Sequence, residues 1–403
     1  MKKYNLLVGQ SGGPTAAINA TLAGIIKESL KSEEIDNIYG LIHGVEGIFN
    51  NNIINLNKTD IKLLKQTPSA YLGSCRKKLT AIEENEEEYI KIFEFFKKKN
   101  IKYFLYIGGN DSMDTVFKLS QYAKRNQIDV RIAGVPKTID NDLCMTDHTP
   151  GFGSAAKYIA ATVHDIAKDS QAYFLKSVTI VEIMGRHAGW LTAASALART
   201  DKEKAPHLIY LPEVSFSKEK FIADINNLFD KGIKNIVVAV SEGIKDENGN
   251  FISENKNAVT DAFGHTALSG VGKFLEMLVK DKIGCKVRSV ELNVCQRCAG
   301  YMLSKTDIFE SERIGASAVK ALIKGLSGKM MVFERISDNP YRIKINFVDI
   351  SKIANYEKKV DICDIINGND VSKRLVNHLK PLIMGEIKLI YSDGIPMTLC
   401  RET

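Results

Sequence analysis

The chain has 403 residues, more than one hydrophobic core serves, because cores stop growing at roughly 250–300 residues. Its 44% hydrophobic and 26% charged residues exclude the disordered and fibrous classes. A net charge of +7 allows nucleic acid or another anionic partner, but no basic run exceeds three residues, so a small anionic substrate fits at least as well.

Residues 4–8 (YNLLV) read as a first strand rather than the apolar part of a signal peptide: the run breaks at Gly9 and no small-residue cleavage site follows. No apolar stretch approaches the roughly 18–20 residues that span a bilayer, and the expectation is a cytoplasmic protein. Helical spacing of apolar residues follows over 15–31. The stretch 83–100 (EENEEEYIKIFEFFKKKN) has acids first, lysines last and an apolar stripe of Tyr89, Ile92, Phe93 and Phe96, the pattern of a surface helix. Residues 101–107 form the next strand and 114–125 a helix, and short β-branched runs recur at 130–135, 178–183, 209–211, 236–240 and 287–294. Alternation of this kind predicts βαβ units on mainly parallel sheets, with ligands at the carboxyl ends of the strands. Residues 245–257 (KDENGNFISENKN) are expected to be a mobile loop. Beyond about residue 330 the pattern weakens, and the segment 331–403 is left without a domain. Seven cysteines at irregular spacing point to reduced thiols, and the single C-x-x-C of Cys295 and Cys298 reads as incidental.

Several strand ends carry chemistry. QSGGPTAAIN (10–19) is expected to put Gly12 and Gly13 at the mouth of a helix, an anion-binding arrangement. There is no G-x-x-x-x-G-K-[ST] loop, and GFGSAA (151–156) follows Thr-Pro rather than a strand, so it reads as a helix entry and not a dinucleotide fingerprint. GVPKTIDNDL (134–143) is more informative, because Lys137, Thr138, Asp140, Asn141 and Asp142 fall within seven residues of a strand end. A capped turn rarely needs a cation, a hydroxyl and two acids together. Phosphoryl transfer needs a base for the attacking hydroxyl, a carboxylate for a metal and a cation on the transferring group. EIMGRHAGW (182–190) offers Arg186 to an anion or to Glu182, and His187 as a base or a helix cap. Glu242 lies on the same rim, and Arg288 and Arg297 flank another strand with the planar charge suited to phosphate esters.

Taken in order, QSGG (10–13), GSCRKKL (73–79), GGNDS (108–112), PKTIDND (136–142), MGR (184–186), SEG (241–243) and QR (296–297) resemble the 6-phosphofructokinases, and within them the branch that uses inorganic pyrophosphate. The resemblance covers about the first 320 residues. It implies an α/β fold of two Rossmann-like domains with mainly parallel sheets and the active site in the cleft between them. The donor domain would comprise residues 1–150 plus about 298–330, and the sugar-phosphate domain 151–297.

The same resemblance implies roles. Asp140 becomes the base for the sugar 1-hydroxyl, and Thr138 and Asp142 hold substrate and metal-phosphate groups. Met184, Gly185, Arg186 and Glu242 bind fructose 6-phosphate. Arg288 and Arg297 clamp its phosphate, Arg288 from this chain or a neighbouring subunit, while Gly12 and Arg76 contact the donor. The enzyme would need Mg2+ and form a homodimer or homotetramer. Three departures stand out: Asn110 replaces a metal-binding Asp, Ser177 a substrate arginine and Val294 a substrate histidine.

Two further positions bear on the donor. Asp111 and Lys137 stand where ATP-using relatives have glycine. A carboxylate at 111 would repel the α-phosphate of ATP, and an ammonium at 137 would stabilise a phosphate leaving group without a nucleotide. The alternatives are an ATP-dependent phosphofructokinase, which would want glycine at both positions, and a non-catalytic regulatory subunit, which would be free to lose Asp140.

Overall fold

Residues 3–75, 77–253, 270–353 and 356–401 are described by a computed structural model. Eleven of its strands build two sheets. In chain order they are β1 (Tyr4–Gln10), β2 (Ile35–Leu41), β3 (Ile53–Asn55), β4 (Ile101–Gly108), β5 (Arg131–Pro136), β6 (Ser177–Ile183), β7 (Leu208–Tyr210), β8 (Asn235–Ser241), β9 (Lys286–Glu291), β10 (Lys329–Asp338) and β11 (Tyr341–Asp349). The first sheet runs β11-β10-β5-β4-β1-β2-β3 and the second β7-β8-β6-β9. The second is parallel throughout, whereas the first carries an antiparallel strand at each edge, β3 on β2 and β11 on β10. The fold class is the α/β one expected from the alternation.

Central strands are covered by helices on both faces, so they read as near-continuous apolar runs rather than alternating ones. All of β1 after Asn5, as well as β8 after Asn235, is buried for this reason. Edge strand β9 instead alternates exposed and half-buried residues.

The segment beyond residue 330 acquires a place. After the helix Lys305–Ile323, the chain adds β10 parallel to β5 and folds β11 back against it, extending the first sheet. That helix lies tightly against Ile18–Ser29, and two glycines make the approach possible. A β-carbon on Gly24 would stand 2.0 Å from the Glu312 carbonyl oxygen, and one on Gly315 would stand 2.2 Å from that of Thr21.

Two helix starts differ from expectation. The helix predicted over 114–125 begins at Asn110, with Gly109 as an extended N-cap that offers no side-chain bond. Asn and Asp are strong capping residues, which is why the sequence reads as if the turn continued. After β1 the helix begins only at Ile18, so Gly12 and Gly13 lie in a loop and not at a helix mouth. Pro14 follows them, and Thr15 is held against Gly151, where a β-carbon would stand 2.8 Å from that of Thr15. The surface helix is present at Glu86–Lys98, and Gly151, with φ +103°, opens the helix Phe152–Gln171. Of the loop expected at 245–257, Lys245 and Phe251 form a bridge, and residues 254–257 lie outside the described residues. Among the described residues no helix is long and apolar enough to cross a membrane.

Candidate active site

Five parallel strands end on one cleft of about 740 Å3. β1 delivers Ser11, Gly12 and Gly13; β4 delivers Gly109, Asn110 and Asp111; β5 delivers Lys137 to Asp142. From the second sheet, β6 delivers Met184, Arg186 and His187, and β8 delivers Glu242. Carboxyl ends of parallel strands are where α/β sheets bind ligands, because loops and helix starts converge there.

The turn after β5 is the centre of the site. Lys137 is 2% exposed, and its Nζ donates to the Gly13 carbonyl at 2.6 Å. A β-carbon on Gly12 would stand 3.2 Å from that ammonium, so the glycine turn and the lysine form one surface. Burial lowers the Lys137 pKa to about 8 against the opposing pull of Asp140 and Asp142. The backbone N–H of Asp140 donates to Thr138 Oγ1 at 3.1 Å, and Thr149 Oγ1 donates to the Thr138 carbonyl at 2.7 Å. Asn141, fully buried at φ +54°, separates the two carboxylates in a left-handed turn that Asn tolerates better than most residues. Burial raises the pKa of both acids, with the charge of Glu242 adding to the effect on Asp140 and that of Asp140 to the effect on Asp142.

Across the cleft, Gly185 at φ +143° donates its N–H to Glu242 Oε1 at 3.3 Å, and Ser241 Oγ donates to the Gly185 carbonyl. Burial pushes the Glu242 pKa up to about 7. Gly243 has to be glycine, since a β-carbon there would stand 2.0 Å from the Arg186 carbonyl oxygen. The Met184 N–H donates to Gln296 Oε1 at 3.2 Å, which ties the MGR loop to the short helix Cys295–Cys298 carrying Arg297. Glu182, the alternative partner for Arg186, accepts instead from the backbone N–H groups of Gly270 and Gly272 at 3.2 and 2.6 Å.

The cleft thus gathers Gly12, Asn110, Asp111, Lys137, Thr138, Asp140, Asp142, Met184, Arg186, Glu242 and Arg297, with Gly185 behind them. Arg288 is not among its lining. It sits in the middle of edge strand β9, opposite Thr179, and pairs with Asp169 at 3.3 Å. Strand residues halfway along a sheet stand away from its carboxyl end, and Arg288 does not line this cleft. Arg76 lies outside the described residues. Ser177 begins β6, Lys176 lies over the Phe229 ring, and Val294 is 48% exposed.

Sequence reasoning missed one wall of the cleft. Tyr356, Glu357 and Lys359, from the segment left unassigned, line it as well. Their approach rests largely on backbone bonds, which leave no side-chain signature.

A family model described as "Phosphofructokinase" matches residues 5–322. The chain belongs to the phosphofructokinase family. Among its relatives in that family, the pyrophosphate–fructose 6-phosphate 1-phosphotransferase of Xanthomonas campestris pv. campestris (strain B100) is 42% identical over 403 residues, covering 98% of this chain and 96% of the relative. The protein of the same name from Methylococcus capsulatus is 36% identical over 411 residues, covering 100% and 97%. A crystal structure of a pyrophosphate-dependent phosphofructokinase from Nitrosospira multiformis superposes with a TM-score of 0.88 at 36% identity, covering 98% of this chain and 96% of that one. That family's fold accounts for two sheets meeting at one cleft.

Proposed function

We propose that the chain catalyses reversible transfer of a phosphoryl group from pyrophosphate to the 1-hydroxyl of fructose 6-phosphate, giving fructose 1,6-bisphosphate and phosphate. The observation that carries this reading is the buried Lys137 ammonium against the Gly12–Gly13 turn, beside Asp140 and facing a helix start that bears Asp111. Relatives of this chain across its whole length are named for the same reaction.

Asp140 takes the proton of the 1-hydroxyl as its oxygen attacks the nearer phosphorus. The bridging P–O bond breaks, and its electron pair leaves on phosphate, whose charge the buried Lys137 ammonium stabilises. Glu242, Met184 and Arg186 orient the sugar, and Gly12, with Arg76, receives the donor. Mg2+ fits this chemistry. Magnesium usually binds one or two carboxylates together with substrate phosphates, keeping its other waters. Asp142 supplies such a carboxylate. Asn110 donates its Nδ2 to the Tyr356 carbonyl at 2.9 Å and brings a neutral amide where a carboxylate would bring negative charge. The metal would neutralise the phosphates' charge. Arg288, withheld from its own cleft, serves the cleft of a second copy in a cytoplasmic homo-oligomer.

Comparing pyrophosphate with ATP as donor to fructose 6-phosphate tests the reading. A rate with ATP exceeding that with pyrophosphate would overturn it.

Arg297→Ala provides a second check. Its Nη1 lies 3.4 Å from where a β-carbon on Gly13 would stand, while Gln296 beside it accepts from the Met184 N–H of the sugar side, so Arg297 sits where the two subsites meet. We expect the KM for fructose 6-phosphate to rise more than that for pyrophosphate, with a loss of about 1.5–3 kcal/mol for one charge-assisted contact. Steady-state kinetics varying each substrate in turn would show it, and a change confined to pyrophosphate would assign Arg297 to the donor.

A further inference from the structure

We infer that residues 356–360 are a strap joining the two walls of the cleft, and that Lys359 on it contacts the phosphate of the sugar substrate. The inference rests on the acceptor proposed above being a sugar phosphate.

The strap is tied first to the donor side. The Tyr356 carbonyl accepts from Asn110 Nδ2 at 2.9 Å, Glu357 bridges Leu143, and the Lys358 N–H donates to the Asp142 carbonyl at 2.6 Å. The Lys358 side chain turns inward, where its Nζ donates to Asn141 Oδ1 and to the carbonyls of Thr146 and Asp147 at 3.2, 3.0 and 2.9 Å. It therefore holds the residue that separates Asp140 from Asp142.

One residue later the strap is tied to the other wall. Trp190 Nε1 donates to the Lys358 carbonyl at 2.9 Å. Glu213 Oε1 accepts from the Val360 N–H at 3.0 Å and from the Gly189 N–H at 2.8 Å, so one oxygen fastens the strap to the loop that carries Arg186. Lys359 lies between these two ties. Its backbone is fixed on both sides, its exposed side chain lines the cleft with Arg186 and His187, and among the described residues its ammonium has no hydrogen-bond or ion-pair partner.

Lys358 and Lys359 are consecutive lysines with opposite fates. The first is spent on protein carbonyls; the second is presented to the cleft on the sugar-binding side. A cation on a positioned backbone in a cleft for phosphate esters is suited to a dianionic group, and its placement beside the Arg186 loop favours the acceptor's phosphate over the donor's.

Lys359→Ala should raise the KM for fructose 6-phosphate roughly 10- to 100-fold, as expected for one lost charge-assisted bond, while the KM for pyrophosphate and kcat each stay within about twofold. Calorimetric titration of fructose 6-phosphate without a donor should show the same loss, and Lys359→Arg should restore most of the affinity. An unchanged affinity for fructose 6-phosphate in Lys359→Ala, or a rise in the pyrophosphate KM alone, would overturn the assignment. A wild-type protein that neither binds nor phosphorylates fructose 6-phosphate would instead refute the acceptor reading and this inference with it. A wild type that does both, beside an indistinguishable variant, would refute the role of Lys359 alone.

Discussion

Asp140→Asn should abolish turnover while leaving fructose 6-phosphate binding largely intact. The amide keeps the shape of the carboxylate and the turn around it, in which the backbone N–H of residue 140 bonds Thr138 Oγ1. It cannot take the proton from the attacking hydroxyl. Loss of a general base commonly costs ~10²- to 10⁴-fold in rate. Steady-state kinetics give the rate and calorimetry the affinity. A variant that turns over at near the wild-type rate would remove Asp140 from the mechanism. A variant that loses both rate and affinity would point to damage of the turn instead.

The pH profile gives an independent reading of the same group. Asp140 acts only when ionised, and burial, reinforced by the charge of Glu242, raises its pKa above the ordinary carboxylate range. Activity should therefore be lost on acidification at a higher pH than an exposed aspartate would dictate. Lys137 acts only when protonated, and burial brings its pKa down to about 8, so kcat/KM for pyrophosphate should fall as the pH rises through that value. Bound phosphates favour the ammonium, so the basic limb of kcat should lie higher than that of kcat/KM. A basic limb unchanged in Lys137→Met would separate that limb from Lys137.

Strand ends were the legible part of this site. A strand such as β6 advertises itself as a β-branched run, and the density of charge in residues 137–142 has no role in an ordinary turn. The sequence pattern sets the start of the helix after β4 four residues late because Asn110 and Asp111 look like turn residues, whereas the extended Gly109 opens it. The strap was illegible for a physical reason. Lys358 reaches Asn141 across 217 residues of sequence, and the strap's own contribution to the neighbouring ties is backbone N–H and carbonyl groups that every residue possesses. Arg288 shows the converse: its residue type suits phosphate, but its position in the middle of β9 directs it to Asp169. A strand's end is visible in sequence, whereas the edge of a sheet, where β9 lies, depends on which strands pair.

Asp111→Gly should let ATP phosphorylate the sugar detectably, and Lys137→Gly should not. The N-terminus of a helix ordinarily attracts phosphate through its unpaired N–H groups and positive dipole end. Here the helix Asn110–Arg125 carries Asp111 in its first turn, which offsets that attraction where a nucleotide's α-phosphate would lie. Removing the carboxylate exposes the helix end to ATP. Pyrophosphate-driven turnover should fall in the same variant, because in the proposed mechanism the side chain would also help order the donor and its metal. Glycine in the first turn forfeits roughly 0.5–1 kcal/mol of helix-dipole and propensity terms, so melting curves should accompany the kinetics. Lys137→Gly should lose pyrophosphate activity without gaining ATP activity, since Asp111 still opposes the nucleotide. Because Lys137 is 2% exposed, Lys137→Met, which keeps the stem and removes the charge, should reproduce the loss without a cavity. Kinetics of each variant with both donors decide the matter. ATP activity gained by Lys137→Gly and not by Asp111→Gly would refute this account of donor choice, while leaving the chain's place in the phosphofructokinase family untouched.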